Sequence, residues 1–245
     1  MYNQAENLAY DLRLFGIKSN LQRRCDAAIG ENHHPSEVIR LLLEDEKNVR
    51  QERIAKRMVT QAKFRKTCEL EDWDFSWDRG LSKAKFKDLA MLNFYRKSEN
   101  LILLGKTGLG KTHLAIALGN RICREANSTF FYSANLFFEE IQGEKIAGRY
   151  LKFIRRLSKA KALILDDFGL RTYTHEEATA LLEVIEERYG KGITIITSQV
   201  SPNGWIKLFE DPVVAEALVD RLCNPACIVE MDGESYRKKK KVDPT

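Results

Sequence analysis

Eight consecutive residues carry the clearest chemistry in this sequence: Gly105, Lys106, Thr107, Gly108, Leu109, Gly110, Lys111 and Thr112. They fit the pattern G-x-x-x-x-G-K-[ST] without mismatch. Glycines at these places let backbone N–H groups turn inward on phosphate oxygens, and the helix expected to follow adds the partial positive charge of its N-terminus. Lys111 is positioned to reach the terminal phosphates of ATP, and the Thr112 hydroxyl to ligate Mg²⁺. His113 opens the helix and completes the nucleotide-contact set on this side.

Such a Mg²⁺ site needs a carboxylate at the end of a neighbouring buried strand. The run Ala162-Leu163-Ile164-Leu165 leads into Asp166 and Asp167. Asp166 is the expected metal and nucleotide residue, and Asp167 the group that orients or deprotonates the attacking water. The alternative is that the pair caps the next helix. Another apolar run ends in Thr197-Ser198-Gln199. Gln199 is the candidate γ-phosphate sensor there, with simple strand-end capping left open.

For these groups to meet, strands must end where the loop and the carboxylates begin. Short apolar runs at 101–104, 129–133, 162–166, 193–197 and 227–230 alternate with amphipathic segments, the first at 113–124. That alternation implies βαβ units, hence an α/β fold with a mostly parallel sheet flanked by helices. Another helix is expected at 86–97. Residues 1–68 hold no comparable run. There Leu8, Leu12 and Phe15 stand at helical spacing and stop at Gly16, which reads as a helix end. After His33-His34-Pro35, a polar turn, Ser36 is placed to cap a helix reaching Thr67, with Val38, Leu41, Leu42, Val49, Ile54 and Met58 as its apolar stripe. The expected organisation is a small all-helical N-terminal domain at 1–68, serving assembly or DNA contacts, and a nucleotide domain at 69–245.

Composition narrows the class. With 245 residues, 44% hydrophobic and 31% charged, the chain is ordinary globular protein and neither disordered nor collagen-like. Its longest apolar runs fall far short of the ~20 residues that span a bilayer. No charged start followed by an apolar stretch opens it, so a soluble, cytoplasmic protein without membrane contact is expected. The cysteines at 25, 68, 123, 223 and 227 lack metal-site spacing and read as reduced thiols.

The net charge of +5 is unevenly spread. Across residues 144–161 seven bases face one acid, a net of +6. On a helix, Lys145, Arg149, Lys152, Arg155, Arg156 and Lys159 fall largely on one side, with Leu151, Ile154 and Leu157 available to the core. Such a face suits a nucleic-acid backbone; a merely solvated face is the alternative. A second cluster comprises Arg50, Arg53, Lys56, Arg57, Lys63, Arg65 and Lys66. Neither includes an obvious set of base-reading side chains, so binding should be largely independent of sequence.

With phosphate loop, double-carboxylate strand and polar strand end in this order, the chain resembles the AAA+ ATPases. Among them it is most similar to the IstB family, helper ATPases encoded by bacterial insertion sequences. The likeness covers nearly the whole chain. It rests on Gly110-Lys111-Thr112-His113-Leu114-Ala115, residues 205–212, Asp220-Arg221-Leu222 and Gly233-Glu234-Ser235-Tyr236-Arg237. The resemblance implies an AAA+ P-loop fold, Mg²⁺-dependent hydrolysis of ATP, ATP-dependent self-assembly on duplex target DNA, and delivery of that DNA to a transposase. DnaC, the loader of the replicative helicase, is the next nearest group, and a loader binding single-stranded DNA and a helicase is the alternative. A small-molecule P-loop kinase is a third reading.

The resemblance also implies that Arg221 is an arginine finger acting on the neighbouring subunit's γ-phosphate; an ion pair with Asp220 is the bland alternative. Ala217 stands where the helicase loader has a second, cis-acting arginine. Arg237 is a candidate for that sensor, or else part of a solvated tail with Lys238, Lys239, Lys240 and Lys241. Asp167 stands where IstB relatives usually carry Glu.

Overall fold

Each of the five apolar runs forms a strand in the computed structural model, which describes residues 2–238; Met1 and residues 239–245, Lys239, Lys240 and Lys241 among them, lie outside the described residues. The strands are β1 (Asn100–Leu104), β2 (Thr129–Ser133), β3 (Ala162–Phe168), β4 (Ile193–Ser198) and β5 (Ala226–Glu230). All pair in parallel, in the order β2-β3-β4-β1-β5. Parallel strands need crossovers, and helices supply most of them: α6 (Lys111–Arg124), α7 (Ala134–Ile146), α8 (Tyr150–Ser158), α9 (His175–Arg188), α10 (Pro202–Trp205) and α11 (Pro212–Cys223).

Alternation along the strands builds two cores. Ile102, Leu104, Leu163, Leu165 and Ile196 face a cluster that includes Phe137, Phe153, Leu181 and Leu218. Leu101, Leu103, Ile164, Ile193 and Ile195 face the other way, against Leu114, Ala115 and Leu118 of α6. Burial on both faces is why these strands read as unbroken apolar runs.

The chain divides into two compact units, residues 1–57 and 58–245. The division falls earlier than the expected boundary at 68. Met58 and Ala62 are buried with Cys123, and Val59 and Phe64 pack on them, so this stretch belongs to the sheet unit. Within that unit the helix expected at 86–97 is broken into α4 (Lys83–Ala90) and α5 (Asn93–Arg96), with Leu92 at φ +56° between them. All five cysteines are free thiols, Cys68 and Cys123 buried and the other three partly exposed. No helix among the described residues is long and apolar enough to cross a membrane.

The first unit contains three helices rather than two: α1 (Tyr2–Asp11), α2 (Phe15–Glu31) and α3, which begins at Pro35 and ends at Ala62. Gly16 does not end a helix. It lies buried in the first turn of α2, where an added Cβ would stand 2.5 Å from the Asp45 carbonyl oxygen and from the Glu46 Cα. That close approach lets the buried Glu46 carboxylate accept the Gly16 and Ile17 N–H groups at 2.7 and 3.3 Å, capping α2 from α3. Arg24 adds a two-pronged bond to Asp45 at 2.8 Å. Gly16→Ala should therefore push the two helices apart and weaken this unit by about 1–3 kcal/mol. Hydrogen exchange of residues 15–31 measures it, and unchanged protection there would show that the contact is dispensable.

Candidate functional site

The phosphate loop leaves β1 with Gly105, Gly108 and Gly110 at φ +144°, +88° and +95°, backbone conformations that aim successive N–H groups into one concavity. Leu109 is fully buried and pins the loop. Lys111, itself buried, donates through Nζ to the Gly105 and Lys106 carbonyls at 2.6 and 2.9 Å. Burial pushes its pKa below the usual lysine value. Lys106 stays on the surface, 3.6 Å from Asp232. His113 is half-buried, and its Nε2–H donates to the Glu69 carbonyl at 3.2 Å.

β4 lies between β1 and β3, so its end meets both the loop and the carboxylates. Asp166, 1% exposed, accepts the Thr112 hydroxyl at 2.8 Å and the Thr197 hydroxyl at 2.7 Å, both on Oδ1. Its Oδ2 is buried without a hydrogen-bond partner. Burial accordingly raises the Asp166 pKa above the usual carboxylate range. An orphaned carboxylate oxygen beside a threonine hydroxyl is a hard oxygen pair, and it fits Mg²⁺, which takes one or two carboxylates plus substrate phosphates. No group of three or more His, Cys, Asp or Glu able to hold a metal occurs among the described residues.

Next to Asp166 the sheet register slips: Leu165 pairs with Ile196, yet Phe168 pairs with Ser198. The extra residue on β3 makes a bulge, and Asp167 takes φ +57° there. The N–H of Asp167 bonds the Thr197 hydroxyl at 2.9 Å. The polar strand end thus serves the site through Thr197 and not Gln199. β4 stops at Ser198, and Gln199 is exposed beyond it, outside the cavity lining. Behind the bulge, Ser198 donates to the Phe168 carbonyl at 2.7 Å and accepts the indole N–H of buried Trp205 at 3.1 Å.

A cavity of about 470 Å³ opens on the loop and is lined by Thr107, Gly108, Gly110, Lys111, Thr112, His113 and Asp167. Its other wall comes from both flanks of the sheet: Lys66, Asp72, Trp73, Asp74 and Arg79 precede β1 and had no motif to announce them, whereas Tyr236 and Arg237, the candidate sensor, belong to the motif after β5. The Tyr236 N–H donates to the Gly108 carbonyl at 2.9 Å, and the Trp77 indole to the Glu234 carbonyl at 3.0 Å. These bonds place Gly233-Glu234-Ser235-Tyr236-Arg237 against the phosphate loop. A wider groove of about 930 Å³ beside α4 shares only Trp73 with this wall and contains no residue of the loop.

Arg221 lies elsewhere. It stands in the last turn of α11, whose Arg221 and Leu222 carbonyls accept the Asn100 side-chain amide at 3.3 and 3.0 Å. Asn100 begins β1 whereas the phosphate loop follows its far end, roughly 15 Å away at ~3.3 Å per residue. The Arg221 side chain is 43% exposed, 3.7 Å from Glu186 and 3.9 Å from Asp220.

The basic stretch is two helices rather than one, because Gly148 turns the chain with φ +66° between α7 and α8. Phe153, Ile154 and Leu157 of α8 are buried, while Leu151 is exposed. Arg149, Lys152, Arg155, Arg156 and Lys159 line one groove of about 490 Å³. Lys145 is outside it, 5.1 Å over the Tyr150 ring. Arg149 is paired with Glu144 at 3.0 Å and Arg156 with Glu140 at 2.9 Å. Lys152, Arg155 and Lys159 have no carboxylate within 4.0 Å among the described residues.

Comparison with known proteins agrees with this geometry. The family described as "IstB-like ATP binding protein" matches residues 7–244. A Mycobacterium tuberculosis protein named as an ATP-binding protein in an insertion sequence is 35% identical, over 96% of this chain and 94% of its own. One from Bacillus thuringiensis, named as the ATP-binding protein of insertion sequence IS232, is 30% identical over 95% and 93%. Among solved structures, DnaI has a TM-score of 0.57 at 20% identity, covering 69% of this chain and 89% of that one. The DnaC helicase loader has a TM-score of 0.53 at 17% identity, covering 67% and 97%. These two likenesses establish the AAA+ P-loop fold.

The orphaned Asp166 oxygen generates a prediction. A buried carboxylate with an unmet acceptor costs the ligand-free protein stability. Asp166→Asn should keep both hydroxyl bonds and melt no lower than wild type without nucleotide or Mg²⁺, while losing Mg²⁺-dependent ATP affinity. A lower ligand-free melting temperature would mean that the carboxylate is structural.

Proposed function

The chain belongs to the IstB-like ATP-binding protein family, and on that basis we propose that it is an ATPase whose ATP-bound subunits assemble on duplex DNA and deliver it to a transposase in the cytoplasm. The observation that carries the DNA part is the cationic groove of α8, with three cations that have no carboxylate within 4.0 Å among the described residues. Relatives named for insertion sequences support a transposase as the partner.

The chain's own residues divide the work on ATP. Backbone N–H groups of Gly108, Gly110 and Lys111 receive phosphate oxygens, and the Lys111 ammonium exchanges its two carbonyl partners for the terminal phosphates. Thr112 and Asp166 are the residues that would hold Mg²⁺, which would supply neutralisation of phosphate charge. The Asp167 carboxylate orients the attacking water and accepts its proton. Thr197 ties these two acids together, holding Asp166 by its hydroxyl and the Asp167 backbone by accepting its N–H.

Arg221 completes the site of an adjacent subunit. Its distance from its own loop supports action in trans, and its exposed ion pairs are the weak kind, contributing about 0–1 kcal/mol, so they yield easily to a phosphate. Hydrolysis then requires assembly, and assembly aligns one cationic groove per subunit along the DNA backbone.

Two outcomes test this. Arg221→Ala subunits should bind ATP normally and hydrolyse it about a thousandfold more slowly. Mixing them with Lys111→Ala subunits should restore part of the rate, since one mutant donates the finger and the other an intact cradle. No recovery at any ratio, with a wild-type rate independent of protein concentration, would place the finger elsewhere.

For DNA, the Lys152→Ala, Arg155→Ala, Lys159→Ala triple variant should bind two unrelated duplexes equally weakly. Its plot of log affinity against log salt should be shallower by up to about 3, at ~0.9 per lost phosphate contact. Fluorescence anisotropy with ATP measures both; an unchanged slope returns α8 to a solvated face, and a clear preference for single strands favours helicase loading.

A further inference from the structure

Arg79 is the second buried arginine of the sheet unit, and its surroundings differ from those of the first. Arg188, 1% exposed, spends both of its Nη atoms on the carbonyls of Leu157, Ala160 and Ile193, with only its Nε left unpartnered, and holds α9 to its neighbours. Arg79 is 6% exposed yet makes one hydrogen bond, from Nη2 to the Asp74 carbonyl at 2.7 Å. Its Nε is buried without a partner. No carboxylate lies within ion-pair distance among the described residues. The guanidinium instead stands 3.5 Å from the centroid of the Trp73 ring and 4.8 Å from that of Tyr236. A guanidinium offers five donors, so most of this one's hydrogen-bonding capacity is unspent.

Its location explains why. Arg79 lines the nucleotide cavity, and its Nη1 comes so close to Gly110 that a Cβ there would sit 2.8 Å away. The absence of a side chain at Gly110 is thus required twice, by the turn of the loop and by this arginine. A buried cation with unmet donors, held by aromatic faces against a phosphate cradle, is oriented in advance for an anion.

We propose that Arg79 is a cis-acting phosphate ligand: its guanidinium contacts the phosphate chain of the bound nucleotide from the wall opposite Lys111, with Trp73 and Tyr236 fixing its plane. It supplies from the segment before β1 a positive charge that Ala217 on α11 does not. This rests on the reading of the cavity as an ATP site.

The test uses the full-length protein and displacement of a fluorescent ATP analogue by ATP over a salt series. Arg79→Met removes charge and donors but keeps an apolar stem between the two rings. It should weaken ATP at least about tenfold at low salt, since hydrogen bonds to charged groups contribute on this scale. The loss should shrink as salt rises, because part of the attraction is screened. The ligand-free variant should melt no lower than wild type, having shed an uncompensated buried charge. Arg79→Lys should recover part of the affinity. Unchanged ATP affinity, a loss equal at every salt concentration, or no recovery in the lysine variant would overturn the proposal. Failure of the wild type itself to bind ATP would instead remove the site reading beneath it.

Discussion

One carboxylate oxygen organises the working end of this molecule. Asp166 Oδ1 accepts two hydroxyls, from the helix that follows β1 and from the end of β4, so a single atom ties together the elements around the nucleotide cavity. The sheet order makes this possible: with β4 between β1 and β3, Thr197 can reach the carboxylate sideways while Thr112 reaches it from the phosphate loop. The bulge at Asp167 follows from the same arrangement. It removes one residue from the ladder, and the Thr197 hydroxyl accepts the N–H set free. The second Asp166 oxygen is buried without a hydrogen-bond partner.

Unmatched charge is the second organising feature. Lys111 and Arg79 are both buried on the cavity, and neither has an anionic partner within bonding distance among the described residues. Such groups lower the stability of the ligand-free state and raise the gain on binding an anion, a trade found where function outranks stability. The wall that carries Arg79 is held to the phosphate loop by Tyr236 and to the C-terminal segment by Trp77.

The two ends of the sheet have different tasks. The C-terminal ends of β1, β3 and β4 carry the phosphate chemistry, as open α/β sheets do at the crevice where neighbouring crossovers diverge. The opposite end carries Arg221, fixed in place through Asn100. An arginine there is remote from the phosphate loop of its own chain. The α8 groove occupies a third position, and its amphipathic helix buries Phe153, Ile154 and Leu157 while leaving its cations in water.

The sequence by itself determined the five strands nearly to the residue, the phosphate loop, and the acids Asp166 and Asp167. These are local signals: apolar runs bounded by loops, and a glycine pattern with few other uses. It also carried the family, through motifs spread along the chain. It did not decide which polar residue at the end of β4 serves the acids, because Thr197 and Gln199 differ only in where the ladder stops and the bulge shifts the register. It placed Gly16 at a helix end, since a glycine serving close packing against Asp45 and Glu46 looks the same in sequence as a C-cap. Arg79 and Tyr236 were invisible as site residues. They flank the sheet in sequence and meet 4.8 Å apart only because β5 pairs with β1 and returns the chain to the phosphate loop, a non-local hydrogen-bonded contact that no spacing encodes.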